Sequence, residues 1–216
     1  GTGDVNISDS NFTNTHTGSW AAEVAVVADS DVSVKNSKFD TKFNYAICAG
    51  DGNLSLENNE MSSSAIPVYA YSQAKIVSTV KAKILDNDTY HWNMASHVLS
   101  ATLTDDAGNI IYDGNFKFVL SSDALENPIT LPAAYANGVY TATFTPDVTG
   151  TYLISLDYPA EEVNTSVIVI SRSLTDLANL IASNTNGTLD LDGDYAYLED
   201  FDGALVNGIV INKDIT

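Results

Sequence analysis

The chain has 216 residues, with 28 Asp or Glu against 9 Lys or Arg, a net charge of −19 on a composition 44% hydrophobic and 17% charged. That apolar fraction is enough for a true core and argues against wholesale disorder. The charge repels phosphate and anionic lipid, which disfavours nucleic acid and membrane as partners and leaves cations, basic surfaces and neutral polymers open.

The single cysteine, Cys48, cannot form an intramolecular disulfide, and no Cys/His cluster is spaced for zinc. No run of apolar residues reaches the roughly 18 of a membrane span. Residues 1–19 lack the basic and apolar regions of a signal peptide, so the expectation is of neither.

In chain order, Val5–Phe12, Val32–Phe39 and Leu54–Met61 lie over one another as apolar, polar, apolar, polar, Asx, Asn/Ser, polar, Phe/Met. Val32 to Leu54 is 22 residues, a further 22 reaches Ile76, and the first interval of 27 carries a loop insertion. Such a period marks stacked repeats, because one coil cannot bury its inward face alone. Second apolar runs, Val24–Ala28, Tyr45–Ala49 and Ile66–Tyr71, recur at similar offsets. Residues 1–76 are therefore expected to be the end of a parallel β-helix, with Phe12, Phe39 and Met61 in one inner column. Asp9, Asn36 and Asn58 should form a stacked Asx corner.

From 77 to 172 the period stops and longer alternating strands follow: Val77–Leu85, Val98–Thr104, Asn115–Leu120, Gly138–Phe144, Gly150–Tyr158 and Asn164–Ser171. Asp105–Asn109, Asp113-Gly114 and Pro146-Asp147 read as the turns between them. This pattern predicts an antiparallel β-sandwich. The run Asp147–Tyr152 resembles the tyrosine corner of immunoglobulin-like domains.

Residues 173–216 open on Ser173–Ala182, where Leu174, Leu177, Leu180 and Ile181 fall on one helical face behind Ser173 or Thr175 as N-cap. A capping helix and short strands of a second β-helix are expected there. The exposed ends of the two coil segments both need cover, and packing against one another would supply it.

Together these stretches resemble the large adhesin-like surface proteins of methanogenic archaea, in which β-helix blocks alternate with bacterial-type immunoglobulin-like domains. The repeats of Val32–Met61 are similar to that family's coils. Leu99–Asn109, Phe116–Phe118 and Gly138–Phe144 are similar to its invasin-like sandwich. Leu174–Leu177, Asp194-Tyr195 and Asp202–Ile211 are similar to the start of its next coil. The resemblance implies an all-β, extracellular, cell-surface stalk in which this piece joins two β-helix blocks, with its ends as boundaries within a longer chain. Its partner would be a surface glycan or protein of another cell.

Parallel β-helices also house polysaccharide lyases and hydrolases, which gather carboxylates from adjacent coils onto one face. Here Asp9 aligns with Asn36 and Asn58, and Glu57 with Lys35, so no acid cluster stacks. His16, His91 and His97 sit beside no nucleophile elbow and read as exposed loop residues. Cys48 reads as a small core residue. The acids from Asp190 to Asp194 fail the calcium loop, since Tyr195 and Phe201 occupy its sixth and twelfth positions. Lys81 or Lys83 with Asn164 would formally suit an isopeptide cross-link, and Trp20, Tyr90 and Trp92 would suit sugar stacking from loops. The expectation is a non-enzymatic fragment with no catalytic, cofactor-binding or metal residue and no cofactor. The alternatives are a carbohydrate-active β-helix enzyme with an accessory sandwich, or a non-catalytic sugar-binding module.

Overall fold

A computed structural model describes residues 3–14, 24–40, 43, 45–61, 66–71, 73–86, 89–160, 162–185, 188–191, 194–198, 202–205 and 207–209. The expectations for His16, Trp20 and the Asp192-Gly193 turn fall outside these residues.

The repeated apolar positions meet as neighbours. Val5 pairs with Val32, Val32 with Leu54 and Leu54 with Ile76, all in parallel register. The strands Val5–Ser8, Val32–Lys35, Asn53–Glu57 and Lys75–Ile76 thus form one four-stranded sheet. Asn11–Phe12, Lys38–Phe39 and Glu60–Met61 form a second, in which Phe12 stacks on Phe39 with ring centres 4.7 Å apart. Alternation places Val32, Val34, Leu54, Leu56 and Phe39 inside, and each contributes little area alone but adds to a core continuous along the stack. Between these sheets the chain turns through left-handed residues, Asp9, Asn36 and Asn58, with φ of 48°, 48° and 49°. Asx side chains tolerate this region and here offset its strain by bonding one another: Asn58 Nδ2 donates to Asn36 Oδ1 at 3.0 Å, and Asn36 Nδ2 to Asp9 Oδ1 at 3.3 Å.

A third parallel sheet contains Val24–Ala28, Tyr45–Ala49 and Val68–Ala70, and its fourth strand comes from beyond the repeats: Ile111–Asp113 pairs in parallel with Val68–Ala70.

The segment after Val77 builds a β-sandwich. Ala134–Ala136, Val139–Phe144, His97–Asp105, Val80–Ile84 and Glu162–Val163 make one five-stranded sheet; Thr89–Trp92, Ser166–Ile170, Gly150–Asp157, Lys117–Ser121 and Ile129–Pro132 make the other. Leu99, Ala101, Leu103, Phe118, Leu120, Ile154 and Ile168 alternate inward and are buried between them. The Tyr152 hydroxyl donates to the Val148 carbonyl at 2.7 Å, the backbone contact expected of the Asp147–Tyr152 run. Six expected strands are present within a few residues. Thr89–Trp92, expected as loop, is an edge strand paired with Ser166–Ile170, because Tyr90 and Trp92 pack their rings against the core.

The α-helix Leu174–Ser183 starts at Ser173 with a reciprocal capping box: Ser173 Oγ accepts from the Asp176 amide, and the Asp176 carboxylate accepts from the Ser173 amide at 2.9 Å. Ile181 is buried, while Leu180 on the expected apolar face is 38% exposed. A second acid reaches the same helix end from afar. The fully buried Asp202 accepts from the amides of Leu174 at 3.0 Å, Thr175 at 2.7 Å and Leu198 at 2.7 Å. Burial pushes its carboxyl upward, but these backbone donors outweigh that and hold it below the usual aspartate range.

A folded-state pKa below the unfolded value contributes stability that is complete above about pH 4 and disappears as pH falls through the lowered value. Asp202→Ala leaves three amides unpaired, those of Leu174 and Thr175 at the helix start and that of Leu198. It is expected to cost about 1–3 kcal/mol locally and to speed amide exchange in Leu174–Ser183 well before the sandwich opens. Hydrogen exchange by mass spectrometry at neutral pH reads this directly.

Candidate functional site

Two features of the repeats bring functional groups together: the seam where the sandwich meets the stack, and the outer face of the third sheet.

The seam is built by the hairpin after Asp105. This residue is the last inward position of the His97–Asp105 strand and is fully buried. Burial pushes its carboxyl up, partly countered by the donors it holds: the Ala107 and Asn109 amides, at 3.1 and 2.8 Å, and Asn109 Nδ2 at 2.8 Å. Fixed in this way, Asn109 acts as the next member of the stack. Its Oδ1 accepts from the Met61 amide at 3.2 Å and its Nδ2 donates to the Asn59 carbonyl at 2.8 Å. One rung earlier Asn59 does likewise, accepting from the Ser37 amide at 3.0 Å and donating to the Val34 carbonyl at 2.9 Å. Asp106 meets the Asn58 amide at 3.2 Å, so the corner also continues into the sandwich segment.

Ile111–Asp113 then lies between two partners. On one side it pairs with Val68–Ala70. On the other, the buried Tyr140 hydroxyl accepts from the Asp113 amide at 2.6 Å and donates to the Ile111 carbonyl at 3.0 Å, taking the place of a neighbouring strand. Phe116 stacks on Tyr140 at 4.1 Å, and the Tyr158 hydroxyl donates to Asp113 Oδ2 at 2.8 Å. Burial drives both phenols far above their usual pKa, so they remain neutral donors at any physiological pH.

The outer face of the third sheet carries a column set by register: Val27, Cys48, Tyr69, Tyr112. Cys48 is therefore half-exposed rather than in the core. Just before it the amides of Ala46 and Ile47 both bond the Pro67 carbonyl, the mark of a bulge that buries two successive residues and brings Tyr45, which plain alternation would turn inward with Ile47, to the same outer side. Burial and then Asp29 push the Cys48 thiol up, away from a nucleophile's range. Tyr69 stacks on Tyr112 at 4.5 Å and 9°, with Tyr45 edge-on to Tyr69 at 5.3 Å and Tyr71 tilted at 5.7 Å. The Tyr71 hydroxyl lies 3.4 Å from the Asp29 carboxylate. Gly50 leaves the space between them, since a Cβ there would overlap the Asp29 carboxylate and stand 2.8 Å from the Tyr71 hydroxyl, pushing these side-chain ends aside. Asp29 first, then partial burial, pushes the Tyr71 phenol up.

The other residues singled out in the sequence stay apart. Glu57 and Glu60 pair with Lys35 and Lys38 at 2.7 and 2.6 Å on exposed rungs, and Asp31 accepts from the Asn53 amide at 2.7 Å. No group of three His, Cys, Asp or Glu among the described residues is arranged to hold a metal. His97 stacks on Trp92 at 4.1 Å within the sandwich, so neither is a free loop residue. Lys81 and Lys83 point outward, while Asn164 accepts from the Ile84 amide at 2.7 Å and donates to its carbonyl at 3.1 Å. That geometry uses Asn164 as a strand mimic and keeps it from a lysine cross-link. The tyrosine face goes unannounced by the repeat, whose pattern is carried by inward positions. Tyr45, Tyr69 and Tyr71 stand in the second apolar runs; Tyr112 carries no signal of its own.

No protein-family model matches the chain, and no curated protein sequence matches it. Among solved structures, the Lin-41 filamin domain is similar over 40% of this chain and 90% of its own, at 16% identity and a TM-score of 0.30. Titin kinase with its flanking domains is similar over 47% of this chain and 18% of its own, at 15% identity and a TM-score of 0.25.

Tyr140→Phe strips the partner from the Asp113 amide and the Ile111 carbonyl while keeping the ring. A loss of about 1–3 kcal/mol is expected in chemical denaturation, with the Ile111–Asp113 amides losing exchange protection first. Unchanged protection there would show that the hydroxyl does not hold the strand.

Proposed function

We propose that the chain is a piece of an extracellular adhesin-like protein in which an immunoglobulin-like sandwich forms a fixed joint on a parallel β-helix. The surface of that stalk attaches the cell to another cell or to a polymer. The observation that carries the joint is the Ile111–Asp113 strand: the sandwich donates it to the sheet of the repeats, and Asn109 extends the Asn stack beside it. Domains joined by a flexible linker move independently by default. Main-chain pairing within a shared core instead sets one angle, which a stalk needs to hold its binding surface away from its base. The three parallel sheets, whose rungs repeat every 21 to 22 residues after a first interval of 27, support the β-helix reading, and the Tyr152 hydrogen bond supports the immunoglobulin-like one. Repeated weak contacts on such a stalk would sum through avidity. The resemblance to methanogen surface proteins supplies the extracellular setting.

The test is a glycan array and whole-cell binding screen run beside a reducing-end assay on the same polysaccharides. Binding without new reducing ends is expected. Release of ends would replace this reading with a carbohydrate-active enzyme.

A further inference from the structure

We infer that the tyrosine face of the third sheet is a docking surface for a cationic protein segment, whose Lys or Arg side chains sit against Tyr45, Tyr69, Tyr71 and Tyr112 and pair with Asp29. This rests on the attachment reading and names the surface and partner chemistry for it.

Three observations lead there. The first is the rings themselves: tyrosines are concentrated at protein interfaces because they bury much area with few rotors and keep a polar tip. Here four are grouped on one outer face beside Val27, which is 62% exposed. The second is charge. The strands of this sheet, Val24–Ala28, Tyr45–Ala49, Val68–Ala70 and Ile111–Asp113, contain no Lys or Arg. Asp29 lies against Tyr71, and the exposed Asp51 follows two residues after the Tyr45–Ala49 strand. Lys35 and Lys38 are committed to Glu57 and Glu60 on other sheets. The face is thus negative within a chain of net charge −19, which complements a basic partner and repels an acidic one.

The third is orientation. Tyr69 and Tyr112 each cover one face of the other, and Tyr45 and Tyr71 are inclined to Tyr69 by 66° and 38°. A run of flat sugar rings needs open, coplanar platforms, which inclined rings do not provide. An ammonium or guanidinium needs only one open π face, approached from above that ring within about 6 Å, or a carboxylate, and no second ring coplanar with it. A negative face of inclined rings therefore favours cationic side chains over a glycan.

The experiment uses the full chain at physiological salt, where distant charges are screened beyond about 8 Å. The probe is an octapeptide of alternating lysine and glycine, followed by calorimetry. Tyr69→Ser and Asp29→Asn are each expected to weaken binding by about tenfold. Tyr69→Phe, which keeps the π face, should retain most of it. Glu126→Gln removes one exposed charge from the sandwich and should change Kd less than about twofold. All four substitutions lie at partly or fully exposed side chains, and unchanged thermal melts establish that they fold.

Equal weakening by Asp29→Asn and Glu126→Gln would reduce the effect to bulk charge and overturn the inference. So would peptide binding indifferent to Tyr69→Ser, or loss on Tyr69→Ser of binding to a neutral cello-oligosaccharide in place of the peptide. The two readings fail separately. Cells that bind Tyr69→Ser as well as the native chain sink this surface and spare attachment; peptide binding without any cell binding sinks attachment and spares the surface.

Discussion

The fold turns on the pairing of Ile111–Asp113 with Val68–Ala70. A parallel stack exposes the hydrogen-bonding edge of its last rung, and an unpaired edge of main-chain donors and acceptors invites fraying or pairing with another chain. Here the sandwich supplies the missing strand in register, with Ile111 and Asp113 inward and Tyr112 outward. Its other edge is closed by the Tyr140 hydroxyl, so both edges of a three-residue strand are satisfied within the same core. Asp105 makes this possible: without a buried acceptor to fold the hairpin tightly, Asn109 would not be presented to Met61 and Asn59.

One consequence concerns cooperativity. In quasi-one-dimensional repeats, stability is a sum of local terms and the terminal units melt first. A sandwich that shares its hydrophobic cluster with the repeats, from Val26 through Ile111 and Phe116 to Ile170, ties the last rung to a body of many non-local contacts. The last rung of the third sheet is closed by Ile111–Asp113. Helix Leu174–Ser183 packs with Arg172–Ser173 and Tyr195–Ala196, and its own anchor, Asp202, belongs to that small unit.

What is legible in the amino-acid sequence follows from the same physics. In-register stacking forces each rung to repeat the residue types of the last, so Val5, Val32, Leu54 and Ile76 align by residue type alone, and the left-handed corner demands Asx at 9, 36 and 58. Tyr152 is legible because its turn is local. The joint is not. Met61 and Asn109 are 48 residues apart, and a three-residue strand with one buried acid carries too little pattern to announce its partner. The place of Tyr45 on the same side as Cys48 is hidden for a related reason: a bulge breaks the two-residue alternation on which inside and outside are read, and nothing in Tyr45–Ala49 marks which residue is doubled.

The bulge also bears on the tyrosine face. Because two consecutive residues, Ala46 and Ile47, are buried, Tyr45 and Cys48 both emerge on the outer side of one strand, and the small Cys48 leaves room beside Tyr69 for Tyr45 and Tyr71 to lean toward it. Gly50 does the same at the next corner, admitting the Asp29 carboxylate to the Tyr71 hydroxyl where a Cβ would push it aside. Tyr112 reaches the column only because the sandwich donates its strand. The face is therefore assembled from both halves of the molecule, and the pairing of Ile111–Asp113 with Val68–Ala70 completes it. A change that loosens Ile111–Asp113 should loosen both together, since Tyr69 would lose its stacked partner as the last rung lost its edge.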